Sequence, residues 1–318
     1  MLERFLIVWL CLLSLLAYLW PHAPVATWGD PFVASAPWLW YLIFAAMLAL
    51  GWLLPRDEMR QVAARWPAVL GGTAVQYGTM PLLSYAVGRL FQLDGPAMIG
   101  IVMAGCVPGA MASNVLTLVA RGNVSYSLSL TTAATLLSPL IVPWALKWIL
   151  GQQDIEFPAA QTAWRLLIYV VLPVVAGHLL SRWRHPTPRA QRLAASTANL
   201  AILWIIAVVV GLNRERLGSI EGRLLAALVC LNLGGYAAGL VAGWLMRLPR
   251  GMRRALTLEV GMQNAGLGAT LAATLFADQP QTAIGPATYT FGCMFTGTIL
   301  ARLWATLGDN GPTEQSAD

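Results

Sequence analysis

The stretch Glu259-Val260-Gly261-Met262-Gln263-Asn264-Ala265-Gly266-Leu267-Gly268 decides how the rest of the chain is read. It places a carboxylate, two amides and three glycines inside a segment otherwise apolar enough to cross a bilayer. An ionisable group at that depth is costly and faces a cavity or a partner, which makes it a functional candidate by default. The glycines weaken the helix where the polar groups fall. Irregular backbone in a membrane is tolerated only against protein or a water-filled site. The stretch therefore reads as half of an ion and substrate site.

Composition agrees with a membrane setting. The 318 residues are 58% hydrophobic and 11% charged, and the mean hydropathy is +0.64. Soluble domains carry about 25% charged residues. Ten apolar runs follow one another, near Phe5–Trp20, Trp38–Leu54, Ala68–Leu90, Ala97–Val119, Tyr126–Leu150, Trp164–Leu180, Ala194–Leu212, Leu224–Met246, Ala255–Phe276 and Ala283–Ala305. They are continuous rather than alternating in period two, so the chain reads as an all-α membrane protein rather than a barrel. The first run carries Glu3 and Arg4 on its flank and aromatics near its ends, and reads as a retained span rather than a cleaved signal peptide. A polar tail, 307–318, follows the last run.

The net charge of +6 belongs to topology, not to nucleic acid. With the N-terminus inside, 14 of the 20 basic residues fall on the inner side, among them Arg56, Arg60, Arg65, Arg121, Arg182, Arg184, Arg250, Arg253 and Arg254. Both termini are then cytoplasmic. Cys11, Cys106, Cys230 and Cys293 lie in apolar segments without CxxC spacing and read as reduced core residues. His22, His178 and His185 are scattered and give no metal cluster.

The halves repeat. Pro108-Gly109-Ala110-Met111-Ala112-Ser113-Asn114 interrupts the fourth run as 259–268 interrupts the ninth, and Asn114 and Asn264 stand 150 positions apart. Five runs per half is an odd number, so the second half (about 160–306) enters the membrane inverted relative to the first (about 1–152). Interrupted helices at matching positions of inverted halves point to a transporter's binding site. Na⁺ needs several oxygen ligands, and oxygens cluster at both breaks. Ser113 and Asn114 lie in one, and Glu259 and Gln263, four apart, in the other. Ser127, Thr131, Thr135 and Ser138 share a helix face just beyond the first break. Gln76 adds an amide in the third run. Thr135 and Ser138 also fit simple back-bonding to their own helix, and Gly235 and Gly239 fit close helix packing.

These motifs are recognisable. Pro108-Gly109-x-x-Ala112-Ser113-Asn114, Ala120-Arg121-Gly122-Asn123-Val124, and Leu256-Thr257-x-Glu259-Val260-Gly261-Met262-Gln263-Asn264-x-Gly266-Leu267 resemble the bile acid:sodium symporter family, bacterial branch, which includes pantoate-type transporters. The resemblance implies one integral membrane transporter with ten spans. Spans 1, 2, 6 and 7 would form a panel, and spans 3–5 and 8–10 a core with crossing helices 4 and 9. It implies symport of two Na⁺ with a small organic anion. The first sodium site would comprise Ser113, Asn114, Ser127, Thr131 and Glu259. The second would comprise Gln76, Glu259, Gln263 and the carbonyls of Val260 and Met262. Asn114 and Asn264 would face substrate, along with Met111, Ala112, Cys293 and Met294. Here the chain departs from its relatives, which carry polar residues at several of these places.

The resemblance implies the bacterial inner membrane, a lipid bilayer as surroundings, and no obligate protein partner. Three alternatives stand beside symport. One is proton coupling through Glu259. Another is export of an oxyanion or weak acid, with Cys106 near the break. The last is an intramembrane enzyme, for which the chain offers a single deep carboxylate and no histidine partner.

Overall fold

The computed structural model describes residues 6–22, 29–152, 154–183, 187–218 and 220–307. Arg4, Phe5, Arg184, His185 and the tail beyond 307 lie outside them, as does the Met59 side chain. Regular structure among the described residues is helical. In chain order the principal helices are α1 (Leu6–Leu19), α2 (Leu39–Leu53), α3 (Glu58–Ala64), α4 (Trp66–Leu90), α5 (Gly95–Cys106), α6 (Ala112–Val119) and α7 (Val124–Gly151). They continue with α8 (Ala159–Trp183), α9 (Pro188–Leu212), α10 (Gly222–Leu245), α11 (Arg250–Gly261), α12 (Ala265–Leu275) and α13 (Ile284–Thr306). Among the described residues, five segments are long and apolar enough to cross a membrane, namely Ala36–Leu53 and helices α7, α8, α9 and α10. Both interrupted runs are split where the sequence placed the breaks, α5 from α6 at 107–111 and α11 from α12 at 262–264.

Local chemistry sets the helix ends. Asn123 caps α7 by accepting from the Tyr126 N–H at 2.8 Å. Thr187 caps α9, with Pro188 in its first turn, so this helix begins six residues before the apolar run. Helix α8 likewise starts earlier than its apolar run and contains a π segment at Leu167–Val171. Pro173 lies just beyond that segment and has no N–H to offer the preceding turn, which accounts for the wider winding.

Small residues bring the helices together. A Cβ on Gly51 of α2 would stand 2.0 Å from the Val174 carbonyl oxygen of α8, and one on Gly177 of α8 would stand 2.2 Å from the Leu48 carbonyl oxygen. These two helices are thus in backbone contact. Helix α9 packs on α2, and α1 packs on α9. On the other side α10 lies on α11 and α4, and α4 on α5 and α7. Gly235 and Gly239 are packing residues: their added Cβ atoms would meet Gly261 and Thr257 at 2.9 and 2.8 Å. Outward faces carry large apolar side chains such as Trp9, Leu15, Leu82, Trp144, Leu245 and Phe295, as lipid contact requires.

The short helix α3 links α2 to α4 and buries one carboxyl. Glu58 is fully buried, and its Oε1 accepts from Ser129 Oγ at 3.0 Å. Around it Arg65 donates to Ser125 Oγ at 3.2 Å, and Ser125 bonds Gln61. Burial pushes the Glu58 carboxyl above its ordinary value of 4.5, an effect only partly offset by the Ser129 hydrogen bond and by Arg65. The folded form therefore disfavours ionised Glu58. That cost is absent below the unfolded glutamate pKa and fully present above the raised folded value. Glu58→Gln keeps the acceptor for Ser129 and is expected to raise Tm at pH 8. The gain should vanish as pH falls below about 4.5, measured by thermal unfolding of both proteins across pH.

Candidate functional site

The two breaks meet each other. Gly109 and Gln263 form an isolated antiparallel bridge. The Asn264 N–H donates to the Pro108 carbonyl at 2.7 Å, and the Ala110 N–H donates to the Met262 carbonyl at 2.8 Å. Each break thus satisfies backbone groups that its own interrupted helices leave open. Four helix ends converge there: the C-termini of α5 and α11 and the N-termini of α6 and α12.

Glu259 projects into this crossing and is 1% exposed. Its Oε2 lies 2.5 Å from Ser113 Oγ, and its Oε1 lies 2.7 Å from Thr131 Oγ1. Those hydroxyls also reach the carbonyls of Ala110 (2.6 Å) and Ser127 (3.1 Å). Each hydroxyl has one proton for two acceptors, so carboxylate and hydroxyl lone pairs remain in surplus around Glu259. Among the described residues no arginine or lysine pairs with it. Ser127 is buried and accepts from Thr117 Oγ1 at 3.3 Å.

The second set is contiguous with the first. Gln76 of α4 donates to Gln263 Oε1 at 3.3 Å, and Gln263 Nε2 donates to the Val260 carbonyl at 2.7 Å. The Val260 and Met262 carbonyls each accept one protein hydrogen bond and keep a lone pair. Gly109 is required here for space. A Cβ on it would fall 2.1 Å from Glu259 Oε1.

Beside the crossing lies a narrow cleft. Met47, Leu50 and Leu54 of the α2 segment and Val174 of α8 line one side. Gly109, Met111, Asn114, Leu128, Thr131, Thr132, Thr135 and Asn264 line the other. Asn114 is 7% exposed, yet neither of its amide atoms has a protein partner. Buried amides are ordinarily bonded, so these two atoms suit a ligand. Asn264 caps α12 by accepting from the Leu267 N–H at 3.2 Å.

Of the other residues singled out in the sequence, Ala112 opens α6 and is half-buried, and Met294 is half-buried on α13. Cys293 is buried beside the break, where its carbonyl accepts from Tyr236. Ser138 bonds back to the Thr135 carbonyl, while Thr135 lines the cleft. Cys106 is fully buried in the core at the end of α5.

Residues 40–220 match the family model described as the Sodium Bile acid symporter family. The chain belongs to that family. It is 28% identical over 300 residues to the "Uncharacterized sodium-dependent transporter YocS" of Bacillus subtilis (strain 168), covering 94% of this chain and 90% of that one. It is 30% identical over 263 residues to the "Probable sodium/metabolite cotransporter BASS1, chloroplastic" of Arabidopsis thaliana, covering 81% and 64% of the two chains. To the human "Sodium/bile acid cotransporter 4" it is 27% identical over 274 residues, covering 81% and 61%. The chain thus spans nearly all of the Bacillus protein and a little under two thirds of the other two. Membership of a sodium-dependent transporter family, with several apolar helices, makes this an integral membrane protein. The relatives are named as transporters or cotransporters, which points away from catalysis.

Sequence reasoning missed Thr117, Asn232, Tyr236, Tyr289 and Thr296. Thr117 had a signal, since it lies four residues after Ser113 on α6 and so shares its face. Asn232 was a lone amide in an apolar run. The two tyrosines and Thr296 gave no pattern of their own.

Proposed function

We propose that this protein is a sodium-coupled symporter of a small organic anion working by alternating access. The observation that carries the proposal is Glu259 buried at the paired breaks. It lies among hydroxyl oxygens that themselves reach backbone carbonyls, with no basic partner among the described residues. Such a site holds its charge best when a hard cation shares it. Ser113, Asn114, Ser127, Thr131 and Glu259 would hold one Na⁺. Gln76, Glu259, Gln263 and the Val260 and Met262 carbonyls would hold another. The N-termini of α6 and α12 end at the cleft, where free N–H groups suit a carboxylate. Asn114, Asn264 and Met111 would contact it. Ala112, Cys293 and Met294 would shape the site from behind.

The close packing of α1, α2, α8 and α9 supports a panel that moves against the remaining helices, with the cleft between them. The matching breaks support two inverted five-helix halves, and the arginine distribution supports cytoplasmic termini in a bacterial inner membrane. Cations would order the crossing, and the ordered crossing would then present its N–H groups to substrate.

A thermal-shift screen of organic carboxylates, in NaCl and in choline chloride, tests this reading. Compounds that raise Tm only in NaCl are expected, by mass-action linkage. Stabilisation that ignores Na⁺ but follows acid pH would transfer the coupling role of Glu259 to a proton. Gly109→Ala, which drives a Cβ into the carboxylate, is expected to weaken the Na⁺ response about tenfold or more. The midpoint of Tm against NaCl measures it.

A further inference from the structure

The peptide between the two candidate ligand carbonyls has its own anchors. Asn232 Nδ2 of α10 donates to the Gly261 carbonyl at 2.7 Å, and the Tyr289 hydroxyl of α13 donates to the same oxygen at 2.8 Å. Both side chains are at most 2% exposed. Two donors use both lone pairs of that carbonyl, so it has nothing left for a cation. The anchors are themselves held. Thr296 donates to Asn232 Oδ1 at 2.7 Å, and the Tyr236 hydroxyl lies 3.1 Å from Thr296 Oγ1. The Tyr236 ring also packs on Gly261, where an added Cβ would meet it at 2.1 Å.

A broken helix end has freely rotating peptide planes unless something fixes them. Here the Gly261 carbonyl is pinned toward α10 and α13. Its neighbours Val260 and Met262 instead direct their carbonyls to Gln263 and to the Ala110 N–H of the other break. We infer that Asn232 and Tyr289 are positioning residues for the second cation site: by saturating the Gly261 carbonyl they set the peptide planes that aim the Val260 and Met262 carbonyls. The inference rests on the sodium reading above. It places a determinant of cation affinity on α10 and α13, at residues that touch no ion themselves.

The test uses purified full-length protein and NaCl alone, with choline chloride holding ionic strength constant. Tm is followed against NaCl for wild type, Tyr289→Phe and Asn232→Ala. Tyr289→Phe removes one oxygen and keeps the ring, so it isolates the hydrogen bond from packing. It is expected to raise the half-saturating NaCl concentration about 5- to 10-fold, the worth of one buried hydrogen bond. Asn232→Ala is expected to raise it at least as far, because it removes the other donor to the same carbonyl, the amide at 2.7 Å, while Thr296 keeps the Gly292 carbonyl at 2.8 Å as an acceptor. A merely structural role would lower Tm in choline chloride and leave the NaCl midpoint unmoved, and that result overturns the inference even if Asn232→Ala fails to fold. A wild type with no NaCl-specific response overturns the sodium reading and this inference with it.

Discussion

Glu259→Gln is expected to abolish the Na⁺ dependence of stability and of uptake while leaving a folded protein. Glutamine has nearly the shape of glutamate: its Oε1 can accept from one of the two hydroxyls, Ser113 and Thr131, that lie 2.5 and 2.7 Å from the carboxylate, and its Nε2 can donate to the other. What it lacks is the charge. A unit charge pair near 4 Å in a medium of effective dielectric 20 is worth about 4 kcal/mol, which converts to roughly a thousandfold in cation affinity. Because Glu259 is shared between the two proposed ligand sets, both ions should be lost together. Tm in choline chloride should stay level or rise, since the variant no longer buries an unpaired charge. Titration of Tm against NaCl separates the two effects. A full Na⁺ response in Glu259→Gln would place the coupling ion elsewhere.

The second large effect concerns the scaffold. Gly51→Ala is expected to destabilise the protein by about 1–3 kcal/mol, the usual cost of overpacking a tight contact. Its Cβ would stand 2.0 Å from the Val174 carbonyl oxygen, and that oxygen belongs to backbone, so no side chain can swing away. Helices α2 and α8 must separate. Leu50 and Val174, which flank the contact, both line the cleft, so the separation should widen the cleft too. Gly177→Ala makes the reciprocal test from the facing helix, 2.2 Å from the Leu48 carbonyl. Thermal unfolding in the absence of Na⁺ measures both. Unchanged Tm values would mean that the α2–α8 contact is looser than its backbone spacing indicates.

The breaks were legible in the sequence because they violate a strong rule. Glu259, Gln263 and Asn264 among glycines cannot be lipid-facing helix, and neither can Pro108-Gly109 ahead of Ser113-Asn114. The helical spacing of Ser127 and Thr131 was legible for the same reason, and the structure brings Thr131 onto Glu259. What could not be read was how the two breaks join. The antiparallel bridge between Gly109 and Gln263 uses backbone groups, which every residue has, so no residue type announces it. The anchoring of Gly261 was hidden differently. Asn232 lies on α10, 57 positions before Tyr289 of α13, which also carries Thr296, and each alone passes for the polar glue of a membrane bundle. The π segment of α8 was written in Pro173, but a proline inside an apolar run fits a kink as well as a widened turn.

The most direct measurement is equilibrium binding of ²²Na⁺ to the purified protein and to Glu259→Gln. The account predicts saturable binding to the wild type, approaching two ions per chain, displaced by NaCl and not by choline chloride, and no saturable binding to the variant. Saturable binding that survives intact in Glu259→Gln, or none in the wild type, would contradict the claim that the crossed breaks form the sodium site.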